Sequence, residues 1–345
     1  MKNRTNLPIG KLKHDVLSKM FEKFVLSLSE NDNRLIVGPK VGEDAAVIDM
    51  GDRYLVAKTD PITFATEEIG YYVVNVNAND IVCTGAVPKW FQSAILLPEN
   101  QTTEDDVERI FKSIYDTCKK MNITIIGGHT EITVGLDRPI VIGSLMGEVE
   151  KDKLVKTSGA EPGDSLILTK GIFIEGTSII AREKEKELRN KGLDLNFIEK
   201  CKNYLYNPGI SVLKEALLVN QHFKVKSFHD PTEGGLFCGI AEMALASNVG
   251  VLVDLKKILL LPEPKKLSEI FSLNPFSTIS SGSLLIAVNN NDAEEVISLL
   301  KKNGIKACII GEFKEYSYGL RVLDNSDNLI PLNYSERDDI TKIFE

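Results

Sequence analysis

Residues 75–85 read N-V-N-A-N-D-I-V-C-T-G, and the rest of the chain is interpreted outward from this stretch. Val74, Ala78, Ile81 and Val82 recur at helical spacing, which predicts the second half of a helix that begins near Thr66 and lays one face on a core. Asn75 and Asn79 stand four residues apart and share a face, with Asp80 beside Asn79. Two amides and a carboxylate near a buried helix end are expensive for packing alone. Asn and Asp at a helix terminus also bond free backbone groups, so in isolation the stretch leaves a structural reading open.

The composition narrows the classes. A chain of 345 residues predicts about two domains, each able to bury its own core. Lys and Arg total 41 against 49 Asp and Glu, a net charge of −8, so there is no basic excess for a nucleic-acid backbone. No apolar run approaches the roughly eighteen residues of a membrane span, and the start, MKNRTNLPIGKLKHD, has no signal-type apolar core. A cytoplasmic protein is expected. The cysteines (83, 118, 201, 238 and 308) form no C-x-x-C pair and sit mostly among apolar residues, which predicts buried free thiols.

Taken in order, residues 1–15 are polar and precede a helix expected from Asp15 to Leu28, with Met20, Phe21, Phe24 and Leu28 as its stripe. Lys11 beside Gly10 is a candidate to fold over an anion; the alternative is a solvated tail. Ala45–Met50 and Tyr54–Thr59 read as two strands joined by a tight turn, with Asp44 entering the first and Asp60 leaving the second. In an antiparallel pair those acids become neighbours, which requires a cation or proton between them. A strand over 88–98 and an amphipathic helix over Thr103–Met121 follow, then a short buried strand, Ile123–Ile126, running into G-G-H-T-E (127–131). Glycines after a strand let a ligand approach the backbone, and His129, Thr130 and Glu131 offer polar groups there.

Residues 150–164, charged and then turn-rich, suggest a boundary between domains 1–150 and 151–345. The second half alternates strands and helices, and 183–203 reads as a solvated excursion. The strand Val225–Phe228 runs into H-D-P-T-E-G-G-L (229–236), a second strand that ends in an acid and a Gly-Gly turn. The usual nucleotide and hydrolase signatures are missing. What remains is Asp44, Asp60, Asp80 and Asp230 at element ends beside glycines. Hard carboxylates without cysteine partners suit Mg²⁺ completed by substrate phosphates.

Eight ordered motifs carry a resemblance: GEDAAV (42–47), TDPITF (59–64), NVNANDIVCTGAVP (75–88), GGHTE (127–131), TKGIFIEGT (169–177), NPGIS (207–211), HDPTEGG (229–235) and SSGSLLIAV (280–288). Together they resemble the PurM-like superfamily of aminoimidazole ribonucleotide (AIR) synthetase, thiamine-monophosphate kinase, selenophosphate synthetase and the hydrogenase-maturation HypE-like proteins, the last most of all. The resemblance implies two α/β domains, the first dimerising through its sheet into a β-barrel, and ATP held between subunits. By motif it assigns Asp44, Asp60, Asp80 and Glu131 to Mg²⁺. It assigns Asp44, Lys11, Asn79, Gly127, Gly128, Thr130, Gly234 and Gly235 to the nucleotide, and Asp80, Asp230 and His129 to catalysis. Two departures stand out: His129 replaces the family's aspartate after Gly-Gly, and the terminal carrier cysteine of HypE has no counterpart in Ile343-Phe344-Glu345.

The expected function is therefore ATP- and Mg²⁺-dependent phosphorylation of an amide or acyl oxygen on a small or protein-bound substrate, by a homodimer with a possible maturation partner. The alternatives are a small-molecule kinase of the thiamine-monophosphate type and a nucleotide-binding scaffold without turnover. No nucleic acid or membrane partner is expected.

Overall fold

The structure, a computed structural model, describes Leu7, Gly10 and residues 12–40, 42–335 and 337–344. Lys11 lies outside the described residues. The first half contains α1 (His14–Phe24), α2 (Leu26–Ser29), β1 (Leu35–Val37), β2 (Ala46–Asp49), β3 (Arg53–Ile62), α3 (Ile69–Cys83), β4 (Val87–Pro98), α4 (Glu104–Met121), β5 (Thr124–Thr133) and β6 (Ile140–Glu150). Its six strands form one sheet in the order β1-β2-β3-β6-β4-β5. The second half contains β7 (Ser165–Thr169), α5 (Ile174–Glu183), α6 (Glu185–Asn190), α7 (Leu195–Lys202), α8 (Leu213–His222), β8 (Val225–His229) and α9 (Gly235–Ala246). It continues with β9 (Gly250–Asp254), α10 (Pro262–Phe271), β10 (Leu285–Val288), α11 (Ala293–Lys302), β11 (Ala307–Lys314), β12 (Leu320–Leu323) and β13 (Leu329–Pro331). These seven strands form a second sheet, β13-β12-β9-β11-β7-β10-β8.

Local chemistry explains the element ends. The Thr103 hydroxyl accepts from the Asp106 N–H while the Asp106 carboxylate accepts from the Thr103 N–H, so this capping box starts α4 at Glu104, one residue after its N-cap. The helix expected from Thr66 begins at Ile69, because Glu68 first turns through a left-handed conformation, φ 58°. The single helix expected over Asp15–Leu28 is split at Val25. The excursion over 183–203 is more than a solvated face, since Leu188, Ile198 and Cys201 pack into the core.

α3 is the centre of the molecule. Every residue of it except Tyr71 is buried, so it has no solvent stripe. It lies on β3 and β6 of the first sheet, beside α4, and also packs on α8 and β8 of the second domain. The Tyr72 hydroxyl donates to Ser178 Oγ across that junction at 3.1 Å.

The largest departure from the sequence reading is at G-G-H-T-E. The strand does not end at the glycines; β5 runs through them from Thr124 to Thr133, and it is an exposed edge strand, not a buried one. Gly128 lies so close to β4 that a Cβ there would stand 2.3 Å from the Ser93 carbonyl oxygen. Among the described residues no helix is long and apolar enough to cross a membrane.

Candidate active site

Three elements converge on one buried point. Asp44 enters β2, Asp80 lies in α3, and Asp230 follows β8; their carboxylate oxygens lie within 4.8 Å of one another. Asp60 joins through Lys58. The strand period puts Val56, Lys58 and Asp60 on one face of β3, and the Lys58 ammonium reaches Asp80 at 3.1 Å and Asp60 at 3.4 Å. Lys58 therefore bridges Asp60 to Asp80, whereas Asp44, the expected neighbour of Asp60, pairs with His229. Asn77 fixes Asp60 from behind, since its Oδ1 accepts the Asp60 N–H at 3.0 Å and its Nδ2 donates to the Asp60 carbonyl. Gly143 makes room for that amide, because a Cβ there would meet Asn77 Nδ2 at 2.4 Å.

A second line of charge backs Asp44. His229 Nδ1 lies 3.0 Å from Asp44 Oδ2 and its Nε2 lies 3.0 Å from Glu242, which also meets His14 at 3.3 Å. Burial opposes the charge on His229, but Asp44 and Glu242 hold its imidazole well above its ordinary value. Burial likewise opposes the charge on Asp44, and His229 holds that carboxyl below the usual range. Asp80 and Asp230 behave oppositely. Burial pushes Asp80 well up despite Lys58, and burial with the Asp44 charge pushes Asp230 up to about 7. The Cys83 thiol, 3.7 Å from Asp230 Oδ1, is pushed up by the same burial and the same acids.

The cluster is electrostatically unfinished. Asp80 Oδ2, Asp230 Oδ2 and Asp44 Oδ2 are all buried without an aligned hydrogen bond, although Asp80 and Asp44 have ion-pair neighbours. Buried orphan oxygens on three hard carboxylates fit a divalent cation. A span of 4.8 Å exceeds the roughly 4.2 Å across an octahedral magnesium by well under an ångström, so small side-chain closure suffices.

The other predicted residues divide. Asn79 is committed elsewhere, because its Nδ2 donates to the Ile210 carbonyl at 2.8 Å and its Oδ1 accepts the Val212 N–H at 2.9 Å. It ties the domains together through one N–H and one lone pair of its amide, and the residue is fully buried. Gly234 and Gly235 open α9 with φ of 80° and 65°. The Gly234 N–H is already taken by Asp338 Oδ2 at 2.7 Å. Gly127, Gly128, His129, Thr130 and Glu131 are not brought to the cluster within one chain. Gly128 stands in register with Ser93, Gly143 and Asp60, three strand spacings or about 14 Å from Asp60. His129 and Glu131 are exposed and lie 3.3 Å from each other.

Lys58, Asn77, His229 and Glu242 were missed as site residues. Lys58 carried a signal, a charge at a core-facing position of an alternating strand; Glu242, inside an apolar helix, carried a similar one.

Comparison with known proteins agrees with this architecture. The family model described as AIR synthase related protein, N-terminal domain, matches residues 42–149, and the corresponding C-terminal domain matches 161–321. A Methanocaldococcus jannaschii protein described as a hydrogenase expression/formation protein is 29% identical over 310 residues, covering 88% of each chain. Carbamoyl dehydratase HypE of Escherichia coli is 24% identical over 84% of this chain and 82% of its own. A crystal structure of hydrogenase maturation protein HypE in complex with ATP superposes with a TM-score of 0.71 at 19% identity, covering 94% of this chain and 96% of that one.

Proposed function

The chain belongs to the AIR synthase related protein family, and from that premise we propose that it is an ATP- and Mg²⁺-dependent enzyme that phosphorylates the oxygen of an amide or similar acyl group. The observation that carries this reading is the convergence of Asp44, Asp80 and Asp230, each of which offers a carboxylate oxygen within 4.8 Å of the others. It is supported by the ATP-bound HypE relative and by the dehydratase named among the similar proteins. Asp44, Asp80 and Asp230 would hold the metal, with Asp60 beside them, and Mg²⁺ bound there would neutralise phosphate charge. The chain's own groups set the stage: Lys58 keeps Asp60 and Asp80 from repelling, and His229 keeps Asp44 ionised. Phosphoryl transfer of this kind needs positioning and charge compensation and no protein nucleophile.

The setting we propose is hydrogenase maturation or a related process, with a small or protein-bound substrate, and the working unit a homodimer. β5 supports the dimer: an unpaired edge strand whose Ile125, Ile126 and Ile132 are exposed is a ready surface for a second sheet. Pairing there would also bring His129 and Glu131 of one copy against another copy, a place for them that the single chain does not supply.

Calorimetric titration with a non-hydrolysable ATP analogue, with and without Mg²⁺, tests the reading. Magnesium-dependent binding is expected, and Asp80→Asn should lower ATP turnover at least about 100-fold while the protein still melts cooperatively. Near-normal turnover in that variant would refute the assignment.

A further inference from the structure

At one end of the second sheet, where β7 and β9 finish, α11 closes and β11 starts, lies an open pocket of about 540 Å³. Its charge sets it apart from the rest of the molecule. The chain carries a net charge of −8, yet among the described residues five lysines and no Asp or Glu line this pocket. The other walls are mostly aliphatic, with Leu168, Ile258 and Ile305 each at most 9% exposed. The pocket is also separate from the carboxylate cluster. Cys308 of its lining stands in register with Leu168, Leu285 and His229, three strand spacings or about 14 Å across the sheet from His229.

The lysines are not equivalent. Lys170 is spent inside the protein: its ammonium lies 2.8 Å from Glu215 and donates to the Gly209 and Ser211 carbonyls. Lys256 pairs with Asp327 at 2.7 Å. Lys257 reaches Asp254 only at 4.0 Å, and Lys301 and Lys306 have no ion pair among the described residues. Lys301 sits in the last turn of α11, where it complements the helix C-terminus, but that role accounts for neither Lys257 nor Lys306. Like charges gathered around one pocket repel, and an anion between them removes the repulsion. The backbone beneath them is tied in place. The Lys170 N–H donates to the Lys306 carbonyl at 2.7 Å, the Ile172 N–H to the Leu259 carbonyl at 3.1 Å, and the Cys308 thiol to the Lys257 carbonyl at 3.1 Å. The segments that form the walls therefore hold one another, and the pocket is preformed.

The lining also defines the ligand by what it lacks. No Ser, Thr, Asn, Gln or aromatic side chain is among the described residues of the pocket, so sugar hydroxyls and base edges meet no neutral hydrogen-bonding side chain and a ring meets no stacking partner. About two uncompensated ammonium charges match a phosphate monoester, which carries roughly −1.5 to −2 near pH 7. Lysine binds phosphate as a point charge and needs no planar fork. We propose that this pocket binds an organic phosphate monoester with an aliphatic body, its phosphate held by Lys257, Lys301 and Lys306 and its chain lying on Leu168, Ile258 and Ile305. The site is independent of the carboxylate cluster and of the reaction assigned to it.

The test is calorimetric titration of the full-length protein, without Mg²⁺, with methyl, butyl and hexyl phosphate, hexanol, AMP and inorganic phosphate. Without a metal the buried carboxylates repel phosphate, so that site does not contribute. Hexyl phosphate should bind saturably, and each methylene removed should weaken binding by up to about four-fold. Hexanol, AMP and inorganic phosphate should each bind at least about ten-fold more weakly. Lys301→Glu combined with Lys306→Glu should weaken hexyl phosphate at least about ten-fold. Lys265→Glu combined with Lys302→Glu changes the net charge equally at exposed lysines outside the pocket, and should stay within about two-fold. All four side chains are exposed, so both variants should melt as the wild type does. No saturable hexyl phosphate response, affinity independent of chain length, AMP binding as tightly as hexyl phosphate, or equal weakening in the two double variants overturns the site.

Discussion

Gly127-Gly128 and Gly234-Gly235 look alike in sequence, each placed after an apolar run and beside acids, yet the fold uses them in opposite ways. The first pair runs extended inside β5, at φ of 152° and 153°, on an exposed edge. The second pair turns left-handed and opens α9, whose first ten residues are all buried. What separates them is the sequence that follows. After Gly128 the residues His129 to Thr133 continue the β-branched alternation of a strand, whereas after Gly235 comes the apolar run Leu236–Ala241 of a core helix. A glycine pair reports close approach or an unusual turn, and the downstream period decides which.

The sharpest way to break this contrast is to add a Cβ to each pair. Gly235→Ala places a left-handed alanine 2.7 Å from the Thr278 backbone, and should cost about 2–4 kcal/mol in urea unfolding. Gly127→Ala meets nothing within 4 Å and should cost only about 1 kcal/mol, all of it backbone strain. Equal costs would mean that the two pairs are not used differently.

A smaller effect distinguishes the buried acids Asp80 and Asp230 from the exposed Glu131 on β5. Asp230 is raised to about 7 and Asp80 is raised as well, so between the unfolded value near 4 and pH 7 the native state holds protons that the unfolded chain has released. Stability in the absence of metal should therefore fall as pH rises from about 4 to 7, by up to about 1.4 kcal/mol per pH unit for each such group. His229, raised above its unfolded value, acts in the same direction. Melting curves at several pH values check this, and added Mg²⁺ should reduce the loss most at pH 8. A flat profile would indicate that the acids are solvated in solution.

The smallest effect falls on the exposed pair. His129→Ala should change the unfolding free energy by no more than about 0.5 kcal/mol, since the side chain is exposed on an edge. ATP turnover measured across protein concentration then sharpens the comparison. If a second copy brings His129 to the site, the variant loses turnover at concentrations where wild type is fully active; if it does not, the two remain equal.

The sequence made the acids legible and much of their surroundings opaque. Asp44, Asp80 and Asp230 could be found because acids at strand and helix ends beside glycines are unusual. Their shared point is a tertiary fact that follows from α3 lying against both sheets. Asn79 misled for a related reason: the partners of its amide, Ile210 and Val212, lie more than 130 residues away, where no local pattern refers to them. β5 misled because its flanking isoleucines suggested burial, and one chain leaves that edge without a neighbour.

A helix claimed by both halves also bears on synthesis. When α3 emerges from the ribosome, the residues that will complete it on its second-domain side do not yet exist, so the first sheet must wait with Asn79 and Asp80 in water. Halves divided within residues 150–164 should therefore be poor folders when made separately and should reassemble when made together, each serving as the other's template.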